Sequence, residues 1–357
     1  MFKNVEKLKI FGILILKYLN DTFLKIKDLI QNSFEKDVAS IILGITLGYT
    51  DEIDEEIINN FSDSNISHIL AVSGMHVGYL ILFCKVIFEA TVGKRKSNIF
   101  SIVILIFYMF LTGMSPSVVR ASFMAILMII SKLIYRRSDV WKNICLSLMI
   151  LLVYNPFVIL NTGLILSYIG TIGIIICSKI FRTKEQEIPK FNFKNALKWS
   201  MYKILELFKI TLFVLIFILP IIATLFNKIP ILSLFVSAFI GILIAPIIIL
   251  FFLLILNKIV GNFQLIITSS MQNFLELLLS SMVKILTNVA DSGAKMPLGK
   301  YLIITPNIIA VVMYYLIIFV VLFIISQKHR KTVFSKRINN LINLLIFRFN
   351  QNKQKII

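Results

Sequence analysis

Two histidines and two serines lie at the start of an apolar run, in the segment SHILAVSGMHVG. His68 and His76 are eight residues apart, about 80° around a helix, so they do not stack as the i,i+4 ligands of a metal site would. Ser73 lies three residues before His76, close enough for a hydroxyl and an imidazole to meet. Gly74 weakens the helix after Ser73, and Gly74 and Gly78 together allow another helix to approach closely.

This segment has several interpretations, and the residues alone leave them open. Polar side chains in lipid are costly, so they face protein or a hydrated cavity. The segment is a kinked, tightly packed helix with satisfied histidines, a bend that lines a transport pathway, or a metal site. A hydrolytic pair of Ser73 and His76 is a further alternative, although no third group or oxyanion site is identifiable.

A second segment, TGMSPSVVRASFM, interrupts a helix and then places a cation in an apolar run. Gly113 and Pro116 cannot continue a regular helix, so we expect a break and a restart with Ser115 as the N-cap. Arg120 follows in the first turns, where its guanidinium must snorkel to the interface, pair with an acid or carbonyls, or face water. Translocation pathways are usually built at such breaks.

A third pattern is a polar stripe on the helix expected near residues 263–289. Its members recur every three or four residues and are Ser269, Asn273, Glu276, Ser280, Lys284 and Asn288. If this helix crosses the membrane, the stripe must face a hydrated interior. If the helix lies on the surface, the stripe faces water.

The composition identifies the setting of these residues. Of 357 residues, 58% are apolar and 15% are charged, and the mean hydropathy is +0.90. The apolar fraction is above that of soluble domains and the charged fraction is below it, which indicates a membrane protein. The net charge of +19 fits the lysines and arginines that collect in cytoplasmic loops.

Long apolar runs predict an all-α polytopic membrane bundle of about eight to ten transmembrane segments, with broken helices and amphipathic surface helices. We count nine crossings: 66–90, 98–113, 117–135, 143–160, 163–181, 207–226, 231–257, 263–289 and 302–326. Residues 1–37 are expected to form an amphipathic helix on the membrane surface, followed by the transmembrane domain at 38–327 and a basic tail at 328–357. The short run VASIILGITLGYT is a half-span or a buried packing segment.

Loop charges give an orientation. Residues 51–65 hold six acidic residues and neither Lys nor Arg, whereas residues 179–203 hold seven Lys or Arg against two Glu. The tail at 328–357 has eight Lys or Arg and no acid. Alternating crossings place every basic segment on one side, so we expect a cytoplasmic tail.

Several function classes lack their motifs. The sequence has no G-x-x-x-x-G-K-[ST], no G-x-S-x-G and no H-E-x-x-H, and it holds three histidines in all. We therefore expect no enzyme, no cofactor and no metal.

Three strings, HILAVSGMHVG, TGMSPSVVRASFM and NPFVILNTGLILSYIGTIGI, resemble in order and spacing the ComEC-type competence membrane domain. The resemblance covers roughly residues 38–327. The third string departs from the family pattern, because Gly163-Leu-Ile-Leu-Ser167 lacks the usual glutamine. The matched positions are His68, Ser73, Gly74, His76, Gly78, Arg120, Ala121 and Ser167.

The resemblance implies an inner-membrane channel that passes single-stranded DNA into the cytoplasm during natural transformation. The implied partners are the lipid membrane, a separate DNA receptor, a nuclease and a cytoplasmic helicase-like motor. Whether the chain works as a monomer or as a homodimer stays open. Family members commonly add an oligonucleotide-binding β-barrel and a nuclease domain; from the length of this chain we expect the membrane domain alone. The alternatives are a transporter or scaffold for a non-DNA solute and an inactive remnant of a longer competence protein.

The first crossing is testable by labelling. Single cysteines placed at residues 58 and 95 should react with a membrane-impermeant thiol reagent from opposite sides, because the acidic and basic loops flank one span. Labelling of both from the same side would contradict this crossing.

Overall fold

The computed structural model describes residues 2–64, 66–136, 138–180, 193–227, 231–261, 267–295, 305–324 and 327. Throughout these ranges the chain is all-α, which confirms the predicted fold class. The helices are α1 (Phe2–Ser33), α2 (Lys36–Leu47), α3 (Glu55–Asp63), α4 (Gly74–Val92), α5 (Lys94–Leu111), α6 (Pro116–Leu133), α7 (Val140–Tyr154), α8 (Thr162–Ile180), α9 (Phe193–Phe226), α10 (Ile231–Gly261), α11 (Ile267–Ala294) and α12 (Ile308–Ile324). The predicted basic tail and part of the basic loop near 179–203 lie outside these ranges.

Five described helices are long and apolar enough to cross a membrane. These are α4, α6, and parts of α9, α10 and α11, while α7, α8 and α12 contain shorter apolar helices. The chain is therefore a multi-pass membrane protein. The expected nine crossings stay a prediction, because three of the predicted spans are shorter helices and α5 begins with a basic turn, Lys94-Arg95-Lys96.

α2 forms the centre of the packed core. Every residue from Val38 to Leu47 is buried, as expected of a helix that is apolar on all sides. Its 12 residues extend about 18 Å, too short for a bilayer. Tyr108 of α5 donates a hydrogen bond to the Thr46 carbonyl at 2.7 Å, and Gly48 ends the helix with a φ of 77°. The structure thus favours the packing interpretation of this run.

α1, which the sequence predicts to be an amphipathic helix on the membrane surface, packs on this core with its apolar face. Ile30 is fully buried, and Phe23, Ile26 and Phe34 pack against the core. Other parts of the protein therefore cover much of the apolar face of α1.

The predicted first crossing begins later than expected. Residues 67–69 form a 3₁₀ helix, and α4 begins at Gly74, after Ser73 in an extended conformation (φ −124°, ψ 174°). The helix of this crossing is therefore shorter than the apolar run 66–90, and the bend expected at Ser73 and Gly74 is confirmed. The His76 side chain accepts the Ser73 amide, so the backbone before Gly74 does not continue the helical hydrogen bonds.

The predicted break between α5 and α6 is confirmed. Gly113 and Met114 adopt left-handed backbone conformations (φ 63° and 57°), and Pro116 opens α6. Ser115 occupies the N-cap position, and its carbonyl accepts the Val119 amide at 2.9 Å. The predicted N-cap position is thus confirmed, although the Ser115 hydroxyl makes no cap hydrogen bond.

α12 docks at a kink in α9. Pro220 has no N–H, so the Ile216 carbonyl loses its helical partner. The Tyr314 hydroxyl donates to that carbonyl at 3.0 Å, and the Tyr315 hydroxyl donates to the Phe217 carbonyl at 2.9 Å. Two tyrosines thus satisfy backbone groups in the region of the kink.

A polar cluster connects α1 to the acidic loop and gives a pH-dependent prediction. Lys27 pairs with Glu52 at 2.6 Å. Their hydrogen bond is the main cause that lowers the pKa of Glu52 and raises the pKa of Lys27. The stabilisation should be present between the ordinary values of 4.5 and 10.5. It should be lost as the pH falls through the lowered pKa of Glu52 or rises through the raised pKa of Lys27.

Hydrogen–deuterium exchange of α1 in the purified protein measures this loss. Glu52→Gln should lower the protection factors of α1 amides at neutral pH to those that wild type has in acid, modestly because the pair is partly exposed. Glu55→Gln, on the same acidic segment, is the matched control. Equal exchange in wild type and Glu52→Gln at neutral pH would contradict the assignment.

Candidate functional site

Arg120 is buried where α4, α6 and α8 meet, with 5% of the residue exposed. Its Nη1 donates to Thr171 Oγ1 at 2.9 Å, and its Nη2 donates to Ser167 Oγ. The guanidinium carbon lies 5.1 Å from the centre of the Tyr168 ring, and Nη1 also contacts Met124 Sδ at 3.5 Å. Arg120 therefore faces the bundle interior and does not snorkel to the interface.

The charge of this guanidinium is not balanced locally. Among the residues with described placements, no carboxylate lies within ion-pairing distance of Arg120. Its Nε is buried and has no hydrogen-bond partner there. Neutral hydroxyls, a sulfur atom and an aromatic ring thus replace the acid that usually accompanies a buried cation.

Gly74 allows α4 to approach α6 closely. A Cβ atom on Gly74 would lie 3.3 Å from both Ala121 Cβ and Arg120 Nη2. The close approach predicted at Gly74 is confirmed, whereas Gly78 is exposed and no atom of the described residues lies within 4 Å of its Cβ position. The predicted helix contact at Gly78 is therefore wrong, because α4 turns that residue away from its neighbours.

Ser73 and His76 form a local pair at the start of α4. The Ser73 amide donates to His76 Nδ1 at 3.0 Å, and Ser73 Oγ lies 3.0 Å from the same nitrogen. Because Nδ1 accepts the amide, the neutral ring carries its proton on Nε2. His76 is 1% exposed, and within the described part of the chain its Nε2 has no partner. His68 lies apart, exposed on the 3₁₀ helix.

Hydroxyl contacts extend the junction to α7. The Tyr168 hydroxyl lies 3.0 Å from Ser147 Oγ. Asn161 accepts the Leu164 amide at 3.0 Å and caps the start of α8. Thr171, Tyr168 and Ser147 were not among the predicted site residues. The i,i+4 spacing of Ser167 and Thr171 is the signal that identifies the face of α8 opposite Arg120.

The polar stripe of α11 is not part of this junction. Lys284 pairs with Glu35, beside the start of α2, at 2.9 Å, and Glu276 accepts a hydrogen bond from Gln272 at 2.8 Å. Asn273 is exposed. The structure brings Arg120, Ser167, Gly74 and the Ser73–His76 pair into one region and leaves the α11 residues, with Ser115 and Pro116 at the helix break, outside it.

Comparisons with known proteins agree with this architecture. A family described as competence protein matches residues 45–328. ComE operon protein 3 of Bacillus subtilis is 31% identical over 148 residues, which are 41% of this chain and 19% of that protein. The uncharacterized protein YcaI of Escherichia coli is 25% identical over 158 residues, 42% of this chain and 21% of that protein. The matched stretches thus cover about a fifth of each relative, and no solved structure matches the chain.

The two glycines of α4 provide a matched pair of variants. Gly74→Ala should destabilise the protein by about 1–3 kcal/mol, because the added methyl meets a rigid Ala121 Cβ and a guanidinium held by Ser167. Gly78→Ala meets nothing and should be neutral or stabilising, since alanine favours the helix. Thermal unfolding of the purified protein measures both. Equal melting temperatures for the two variants would contradict the packing described here.

Proposed function

The chain belongs to the competence protein family, and from this premise we propose that it works in DNA uptake as an inner-membrane channel component that carries single-stranded DNA into the cytoplasm. The five apolar helices long enough to cross a bilayer support a membrane location. The basic loops and the basic tail favour a cytoplasmic position for the tail.

One observation carries the proposal: Arg120 is buried between α4, α6 and α8, and no acid among the described residues neutralises it. Charged side chains inside membrane bundles are costly, and they commonly mark the path of a polar substrate. The nearby break between α5 and α6 is the type of irregularity around which such paths are built. A polyanionic strand supplies the negatively charged partner that the described side chains do not give to Arg120.

The chemistry of the junction suits transient contact with a nucleic acid strand. Guanidinium groups attract phosphates without reading sequence, and this attraction weakens with salt. The hydroxyls of Ser167 and Thr171 hold Arg120 through neutral hydrogen bonds, for which a phosphate of the strand can substitute.

The driving force belongs to other proteins in this proposal. The sequence contains no nucleotide-binding motif, so we assign energy input to a cytoplasmic helicase-like motor. A separate receptor delivers the DNA and a separate nuclease supplies the single strand. We assign no catalytic step to Ser73 and His76, because Nδ1 of His76 is already an acceptor for the Ser73 amide.

The test separates DNA entry from DNA binding at the cell surface. In a transformable host that carries no second copy, deletion of the gene should abolish cytoplasmic entry of labelled DNA and leave surface binding intact. Arg120→Gln should reduce entry at least tenfold at unchanged membrane abundance, because the positive charge is lost. Arg120→Lys, which keeps the charge, should retain part of the entry.

Normal entry in the deletion strain would exclude the proposal. A parallel fall in abundance and entry for Arg120→Gln would assign the arginine to folding instead. Preserved entry in Ser73→Ala would support transport without a serine nucleophile, and loss of entry at normal abundance would favour a hydrolytic role.

A further inference from the structure

We propose that the junction of α4, α6 and α8 binds one tetrahedral oxyanion, of the phosphate class, beside Arg120 at the N-terminus of α4. This inference deepens the proposed function and rests on it, since a phosphodiester of the passing strand is the source of the oxyanion that it assigns.

The first reason is the arrangement of charge. Arg120 Nη2 lies 3.3 Å from the Cβ position of Gly74, the first residue of α4. The N-terminus of a 19-residue helix carries about half a positive charge. Two positive groups thus adjoin in a buried site, and the described part of the chain places no carboxylate beside Arg120. An anion bound beside both groups removes the repulsion between them and the cost of an unpaired buried cation.

The second reason is that two buried donors lack acceptors. Arg120 Nε and His76 Nε2 have no hydrogen-bond partner among the described residues, and the two residues are 5% and 1% exposed. His76 lies two positions after Gly74, on the first turn of α4. Buried polar groups are nearly always satisfied, so an exception calls for a ligand, ion or water. Both groups are donors, which selects an acceptor ligand.

The third reason is that the oxygens that accept hydrogen bonds from the guanidinium are neutral. Thr171 donates its own proton to the Ser167 carbonyl at 2.7 Å, so its Oγ1 offers Arg120 only a lone pair. Hydrogen bonds with an ionised acceptor are about twice as strong as neutral ones. A phosphate oxygen therefore displaces the hydroxyls of Thr171 and Ser167. The planar fork of arginine favours two oxygens of one anion over a single halide ion.

Phosphate binding is tested on the purified full chain in uncharged detergent. Inorganic phosphate should bind saturably, with one site per chain, and should raise the melting temperature of the wild type. Arg120→Gln should weaken binding at least tenfold. Thr171→Val should bind as tightly as wild type or more tightly, because only a competing acceptor is lost. Lys132→Gln, an exposed cation at the other end of α6, should bind like wild type.

These variants separate a site from a structural contact. Absence of saturable binding by the wild type would overturn the inference, as would full binding by Arg120→Gln. A tenfold loss of phosphate affinity in Thr171→Val would also overturn the proposed displacement of the hydroxyls by phosphate.

Competition identifies the source of the oxyanion. Oligothymidylate should displace phosphate, and its uncharged methylphosphonate analogue should not. Nanodiscs of phosphatidylglycerol should displace no more phosphate than nanodiscs of a phosphate-free glycolipid. If phosphatidylglycerol displaces phosphate and oligothymidylate does not, the assignment of the DNA strand as the ligand is overturned. If the wild type binds phosphate and Arg120→Gln weakens that binding but leaves DNA entry normal, the proposed function is overturned and the oxyanion site stands.

Discussion

The structure depends on the burial of one arginine, Arg120, beside which the described residues place no acid. A guanidinium inside a membrane bundle requires hydrogen bonds from several elements at once. Ser167 and Thr171 supply them from α8, and Gly74 lets α4 approach the same group. The three helices are thereby brought together by a polar contact, in a protein whose other contacts are largely apolar.

The surrounding architecture follows from chain breaks more than from long regular spans. α4 starts at Gly74 because the His76 ring takes the Ser73 amide, and α6 restarts at Pro116 after two left-handed residues. Pro220 removes one helical hydrogen bond of α9 where α12 docks through its tyrosines. At Gly74 and Pro220 side chains satisfy backbone groups that lipid cannot, and before Pro116 backbone hydrogen bonds do so.

The sequence was sufficient for the class of fold and for the break before Arg120, since apolar runs and a Gly–Pro pair act locally. The close approach at Gly74 was also predicted, from its spacing of four residues to Gly78. The contact expected at Gly78 was wrong, since the rotation of a helix relative to its neighbours depends on tertiary packing. Thr171 and Tyr168 were missed for the same reason: only the folded bundle sets them opposite Arg120.

The most direct measurement locates the incoming strand during uptake. DNA that contains 4-thiothymidine is supplied to transforming cells, irradiated while it enters, and its crosslinks are mapped by mass spectrometry. The account predicts adducts on α4, α6 and α8 around Arg120, and none on the exposed apolar face of α12. Adducts confined to other helices while entry proceeds would contradict a DNA path through this junction.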